Sequence, residues 1–130
     1  MTVSILVVDD ETDIADLFRR RFRRELKSGD YAIHFAPSGE EALKILARKS
    51  EPEIMLILSD INMPGISGLD LLEEAKRRWP LLPLMIVSAY GDPDNRRRAY
   101  EAGALDFVTK PIDFVSLKSK ITNVLTLTGG

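Results

Sequence analysis

The 130-residue chain has no cysteine, one histidine and one tryptophan. Without cysteine there is no disulfide framework, thiolate zinc site, iron–sulfur cluster or cysteine nucleophile, and with His34 alone there is no site built on two imidazoles. Much of metalloenzyme and triad chemistry is excluded with them. An excess of one charge sign is also missing: 18 Lys and Arg stand against 20 Asp and Glu, a formal net charge of −2 that argues against bulk attraction to nucleic acid. No apolar run approaches the roughly 20 residues that cross a bilayer. The opening Met1-Thr2-Val3-Ser4 lacks the basic stretch of a secretory signal, so a cytoplasmic chain with no membrane or direct nucleic-acid partner is expected.

What is present is a 45% hydrophobic composition in a length suited to one domain. A chain of this size buries roughly two thirds of its unfolded surface and folds without staples. We place that domain over 1–127, with 128–130 as a tail or the start of a linker. Apolar runs rich in branched residues alternate with segments of helical period, five times over, which is the βα pattern of a parallel sheet. The expected strands are Ser4 to Val8, Tyr31 to Phe35, Ile54 to Ser59, Leu84 to Ser88 and Asp106 to Thr109. The first, third and fourth are nearly continuous hydrophobic runs, as central strands covered on both faces require. Tyr31 to Phe35 alternates through the polar His34 and suits an edge.

Helix signals fill the intervals. Ser38 with Glu41 forms a capping-box pattern ahead of Ala42, Leu43, Ile45 and Leu46. Asp92-Pro93 reads as a cap followed by proline at the first helical position, and Gly103 closes that helix. Leu117, Ile121, Val124 and Leu125 give the last helix one buried stripe. Ile14, Leu17, Phe18, Phe22 and Leu26 do the same for the first. Around that stripe crowd Arg19, Arg20, Arg21, Arg23 and Arg24, either a solvated face or a docking surface for an acidic partner.

In an open parallel sheet, ligands bind beyond the carboxyl ends of the strands. Asp9 and Asp10 follow the first strand, Asp60 the third, Ser88 the fourth and Lys110 the fifth. Three carboxylates at one site repel, and a hard divalent cation such as magnesium relieves the repulsion through oxygen ligands. Asn62 offers a further main-chain oxygen. Lys110 supplies a cation and Ser88 a hydroxyl to a transferred phosphoryl group, with the Asp60 carboxylate as nucleophile. Each residue also has a plainer reading: Asp9-Asp10 as a helix cap, Ser88 as a turn residue, Lys110 as a loop lysine.

The acidic pair Asp9-Asp10, the run Asp60-Ile61-Asn62-Met63-Pro64-Gly65-Ile66-Ser67-Gly68, the pair Ser88-Ala89 and the run Phe107-Val108-Thr109-Lys110-Pro111 occur in this order at these strand ends. Over essentially its whole length the chain resembles the receiver domain of two-component response regulators. The resemblance implies a flavodoxin-like, doubly wound α/β fold: five parallel strands in order 2-1-3-4-5, with five helices. It implies that Asp60 is the phosphoacceptor, that Asp9, Asp10, Asp60 and the Asn62 carbonyl hold Mg2+, and that Lys110 contacts the phosphoryl oxygens. Ser88 becomes the switch hydroxyl, Phe107 the switch aromatic, and Lys110-Pro111 a cis peptide. Asn62 and Tyr90 flank the route of the hydrolytic water and modulate the lifetime of the phosphoryl group.

By the same resemblance the phosphodonor is a histidine kinase or phosphotransfer protein. The fourth helix, fifth strand and fifth helix serve a homodimer or an output domain, and Arg96, Arg97 and Arg98 lie on that surface. The domain is a signalling module and not an enzyme, apart from autophosphorylation by small donors and autodephosphorylation. Two features depart from the commonest pattern: Pro52 lies eight positions ahead of Asp60, leaving the start of the third strand open, and the aromatic switch is Phe, without a hydroxyl. A phosphohydrolase with an Asp nucleophile competes, but Asn62 stands where its general acid belongs. A nucleotide-binding module lacks its glycine-rich or Walker loop. A pseudo-receiver that uses only its surface has no need of the complete pocket.

Overall fold

A computed structural model of the chain describes residues 2–48, 53–89 and 93–127. Pro52, Tyr90, Asp92 and the tail at 128–130 lie outside the described residues. The elements run β1 (Val3–Val8), α1 (Thr12–Arg21), α2 (Arg23–Ser28), β2 (Tyr31–Ala36), α3 (Gly39–Ala47), β3 (Leu56–Asp60), α4 (Gly68–Arg78), β4 (Leu84–Ser88), α5 (Pro93–Glu101), β5 (Asp106–Thr109) and α6 (Phe114–Leu127). All five strands are parallel in the order β2-β1-β3-β4-β5. The order reverses about β1, so β1 and β3 bound the switch point where such sheets open a crevice.

Successive strand residues face opposite sides, and this alternation divides the core in two. Leu6, Val8, Ile57 and Ile86 meet Ala42, Leu71, Leu72 and Ala99 under α3, α4 and α5. Ile5, Val7, Leu58, Met85 and Val108 meet Phe18, Phe22, Phe114, Leu117 and Ile121 under α1, α2 and α6. β1, β3 and β4 are the buried central strands and β2 is an edge, as the runs of branched residues predict. His34 is half-buried, and its Nε2 is enclosed without a hydrogen-bond partner among the described residues.

Three local expectations are revised. β3 begins at Leu56, not Ile54, because pairing with β1 starts at Ile5↔Leu56; Asp60 is its last residue and pairs with Val87. The first helix is broken at Phe22 (φ −104°, ψ 18°), giving six helices instead of five. The break coincides with a fully buried ring, stacked on Phe18 at 5.7 Å and edge-on to Phe114 at 6.1 Å. Leu26 N–H still donates to the Phe22 carbonyl, so α1 and α2 are one interrupted helix. At α3 only half of the capping box forms: Ser38 Oγ accepts from Glu41 N–H at 3.1 Å, while the Glu41 carboxylate turns to Lys44. The complete box caps α4, where Ser67 and Asp70 exchange bonds of 3.1 Å.

Candidate functional site

The carboxyl ends of β1, β3, β4 and β5 carry the polar groups that the strand-end argument predicts. Asp9, Asp60 and Ser88 are all buried, in a fold where buried polar side chains are scarce. Oxygens of Asp9, Asp10 and Asp60 lie within 4.8 Å of one another. The Lys110 ammonium reaches in from the end of β5, 3.1 Å from Asp9 Oδ2 and 3.7 Å from Asp60 Oδ1. Its backbone is anchored by Lys110 N–H donating to the Ser88 carbonyl at 2.7 Å, and Lys110-Pro111 is cis. Asp60 Oδ1 also accepts the Ile61 N–H at 2.9 Å.

Asp9 does part of what its plainer reading asks. Its Oδ1 accepts the Glu11 N–H at 2.9 Å and shapes the turn into α1, but Glu11 holds the N-cap position with no side-chain cap. Oδ2 is left for Lys110. Burial raises the pKa of Asp60 above its ordinary value, and the charges of Asp9 and Asp10 act in the same direction; Lys110 and the Ile61 N–H oppose them without cancelling them. Burial alone lowers the pKa of Lys110, but the bond to Asp9 and the charges of Asp60, Asp9 and Glu11 outweigh it and hold the ammonium above its ordinary value. Three carboxylates against one ammonium leave an excess of about two negative charges. Hard oxygen donors with that excess fit a small divalent cation.

The register Ile86↔Phe107 and Ser88↔Thr109 puts Ser88 and Phe107 on the same face of neighbouring strands. Phe107 is buried, 3% exposed, among the residues beneath α3, α4 and α5, so its ring already points inward here. The Arg96 guanidinium covers it at 5.8 Å from the ring centroid. Asn62 is exposed in the loop that follows Asp60.

A family model described as "Response regulator receiver domain" matches residues 5–122. This chain belongs to the response regulator receiver domain family. Response regulator protein PilR of Pseudomonas aeruginosa is 38% identical over 125 residues, covering 94% of this chain and 26% of that protein. The DNA-binding transcriptional regulator NtrC of Escherichia coli is 39% identical over 109 residues, covering 84% and 22%. The chain therefore spans about a quarter of the length of these curated relatives. The crystal structure of a receiver domain protein from Clostridium thermocellum superposes with a TM-score of 0.86 at 28% identity, covering 98% of this chain and 97% of that one. The receiver fold is thus shared over the whole described sheet.

Two supports of this receiver's site do not stand out in the sequence. Gly68, first residue of α4, donates its N–H to the Ile61 carbonyl at 2.8 Å and lies so close to the Asp60 carbonyl that any Cβ would collide with it. The Ser67-x-x-Asp70 box that starts α4 is recognisable as a motif and overlaps only the end of the run Asp60 to Gly68. Of the arginines, Arg19 pairs with Asp16 and covers Phe35, Arg21 covers Phe114, and Arg97 pairs with Asp94 and Glu101. Arg20, Arg23, Arg24 and Arg98 are exposed.

Proposed function

We propose that this receiver takes a phosphoryl group onto Asp60 from a histidine kinase or phosphotransfer protein and changes its output surface in response. The observation that carries the reading is the buried Asp60 carboxylate, within 4.8 Å of Asp9 and Asp10 oxygens and 3.7 Å from Lys110. Asp9, Asp10, Asp60 and the main-chain oxygen of Asn62 would hold Mg2+. When bound, the ion neutralises the excess carboxylate charge and stabilises the charge on the transferring oxygens.

Asp60 reacts as the carboxylate. Oδ1 is engaged by Ile61 and faces Lys110, while Oδ2 accepts no hydrogen bond from the described residues, which favours Oδ2 as the attacking atom. A P–O bond to Asp60 forms as the bond from phosphorus to the donor breaks, the electron pair leaving with the donor atom. No proton has to come from Asp60. Lys110 exchanges its contact with Asp9 for a phosphoryl oxygen, and Ser88 donates its hydroxyl to another. The module is a signalling domain whose self-catalysed reactions are gaining the group from small donors and losing it to water.

Because Phe107 is already inside, the switch acts by selecting between packings rather than by carrying the ring in from solvent. A hydroxyl drawn toward Asp60 changes the space beside that ring and biases the α5, β5 and α6 face, the surface for a homodimer or output domain. Asn62 and Tyr90 set how long the group survives, Tyr90 by shielding it from in-line water. A cytoplasmic setting without membrane or direct nucleic-acid contact completes the reading. The test is intact-mass measurement after acetyl phosphate treatment, with magnesium and with chelator. One added phosphoryl group, base-labile and absent with chelator or in Asp60→Asn, supports the proposal; labelling that ignores both overturns it.

A further inference from the structure

The loop from Ile61 to Ser67 joins the end of β3 to α4 and carries Asn62. Its far end is pinned by the Ser67–Asp70 box and by Gly68 against the Asp60 backbone. A second anchor comes from outside these two elements. Glu40, in the first turn of α3, accepts the Ile66 N–H through Oε1 at 3.4 Å, across 26 residues of sequence. The same carboxylate lies against Gly65, whose φ of +81° suits glycine and whose missing side chain leaves the room that Glu40 fills. In return Ile66 lays its side chain over Gly39, where a Cβ would collide with it. The two segments are keyed together from both sides: carboxylate to backbone, and isoleucine to glycine.

We propose that Glu40 is a positioning residue for magnesium. By holding Gly65 and Ile66 it fixes the far half of the loop that carries Asn62, and so limits the positions that the Asn62 main-chain oxygen can take when the ion binds. It touches neither the ion nor the phosphoryl group. The inference rests on the magnesium reading above, and it assigns to α3 a role in the site that the strand ends do not reveal.

The role requires an acceptor oxygen, not a charge, so glutamine should substitute and alanine should not. The experiment uses the whole chain, as wild type, Glu40→Ala and Glu40→Gln. Calorimetry gives the magnesium affinity, and the rate of phosphorylation by acetyl phosphate is followed across magnesium concentration. Glu40→Ala is expected to weaken magnesium binding about threefold to tenfold, the worth of one modest hydrogen bond. At saturating magnesium its rate should return to that of wild type, because the lost interaction serves binding alone. Glu40→Gln should match wild type. Glu40 is exposed and its bond to Ile66 is long at 3.4 Å, so the unfolding midpoint in chelator should fall by no more than about 4 °C.

Magnesium affinity unchanged in Glu40→Ala overturns the inference. So does equal loss in Glu40→Gln and Glu40→Ala, which would make Glu40 a distant charge. If wild type itself binds no magnesium and takes no phosphoryl group, the underlying reading fails instead, and the two failures are told apart by that control.

Discussion

Lys110 is the ammonium that both Asp9 and Asp60 face, and it lies nearer Asp9, at 3.1 Å against 3.7 Å. A cation bound by Asp9 must compete with it. Lys110→Met keeps an unbranched side chain one atom shorter and removes the charge. Two unit charges about 4 Å apart interact by about 1 kcal/mol in bulk water and about 4 kcal/mol at an effective dielectric of about 20. The side chains here are 18%, 4% and 11% exposed for Lys110, Asp9 and Asp60, so the site lies nearer the second regime. Leaving the carboxylates without their counter-charge should cost about 3 kcal/mol of metal-free stability. Releasing Asp9 to the ion should tighten magnesium binding by about 1.4 kcal/mol, or about tenfold. Calorimetry and thermal unfolding, each with magnesium and with chelator, read both quantities. The variant should start lower, gain more from the metal by mass action, and still take up phosphoryl groups more slowly than wild type. Magnesium binding that is equal or weaker in Lys110→Met would show that the ammonium does not compete for Asp9, and Asp9 would lose its place as a metal ligand.

Three further outcomes follow from the same geometry. The raised pKa of Asp60 means that the folded chain holds that proton more tightly than the unfolded chain. Stability therefore falls as pH rises from the ordinary carboxylate value of 3.8 through the raised folded value. Asp60→Asn should remove that loss and be the more stable protein at neutral pH in chelator; urea unfolding across pH checks it, and a less stable Asp60→Asn contradicts it. Gly68→Ala should destabilise by about 2 kcal/mol by forcing a Cβ against the Asp60 carbonyl, and should slow phosphorylation; an unchanged urea midpoint would show that the helix start yields freely. Tyr90→Ala should lose its phosphoryl group about tenfold faster once the donor is removed, since admitting one aligned water is worth about 1.4 kcal/mol of barrier. Unchanged or slower decay would end the shielding role.

The sheet was legible because burial on both faces forces runs such as Ile5 to Val8 and Leu84 to Val87, which few other structures tolerate. The site was legible for a related reason: polar residues directly after such runs converge on one edge of a parallel sheet. Most of what escaped the sequence depends on contacts between distant segments. Nothing near Phe22 announces a helix break, which coincides with a ring packed among Phe18, Tyr31 and Phe114. Glu40 reads locally as a first-turn acid, and only the fold brings Gly65 and Ile66 against it. The position of Lys110 after β5 points to the Asp60 site, but that its nearer partner is Asp9 is set by local distances that spacing does not encode. The capping box was expected at Ser38 and forms in full at Ser67, since Glu41 has a competing partner in Lys44 one helical turn away.

The central claim is that one carboxylate, Asp60, receives the phosphoryl group. Its most direct test maps the label: the acyl phosphate formed with acetyl phosphate and magnesium is trapped by borohydride reduction, and the modified residue is read by peptide sequencing in the mass spectrometer. Reduction at Asp60 alone is the predicted result. A label on Asp9, Asp10 or any residue outside this cluster would contradict the account.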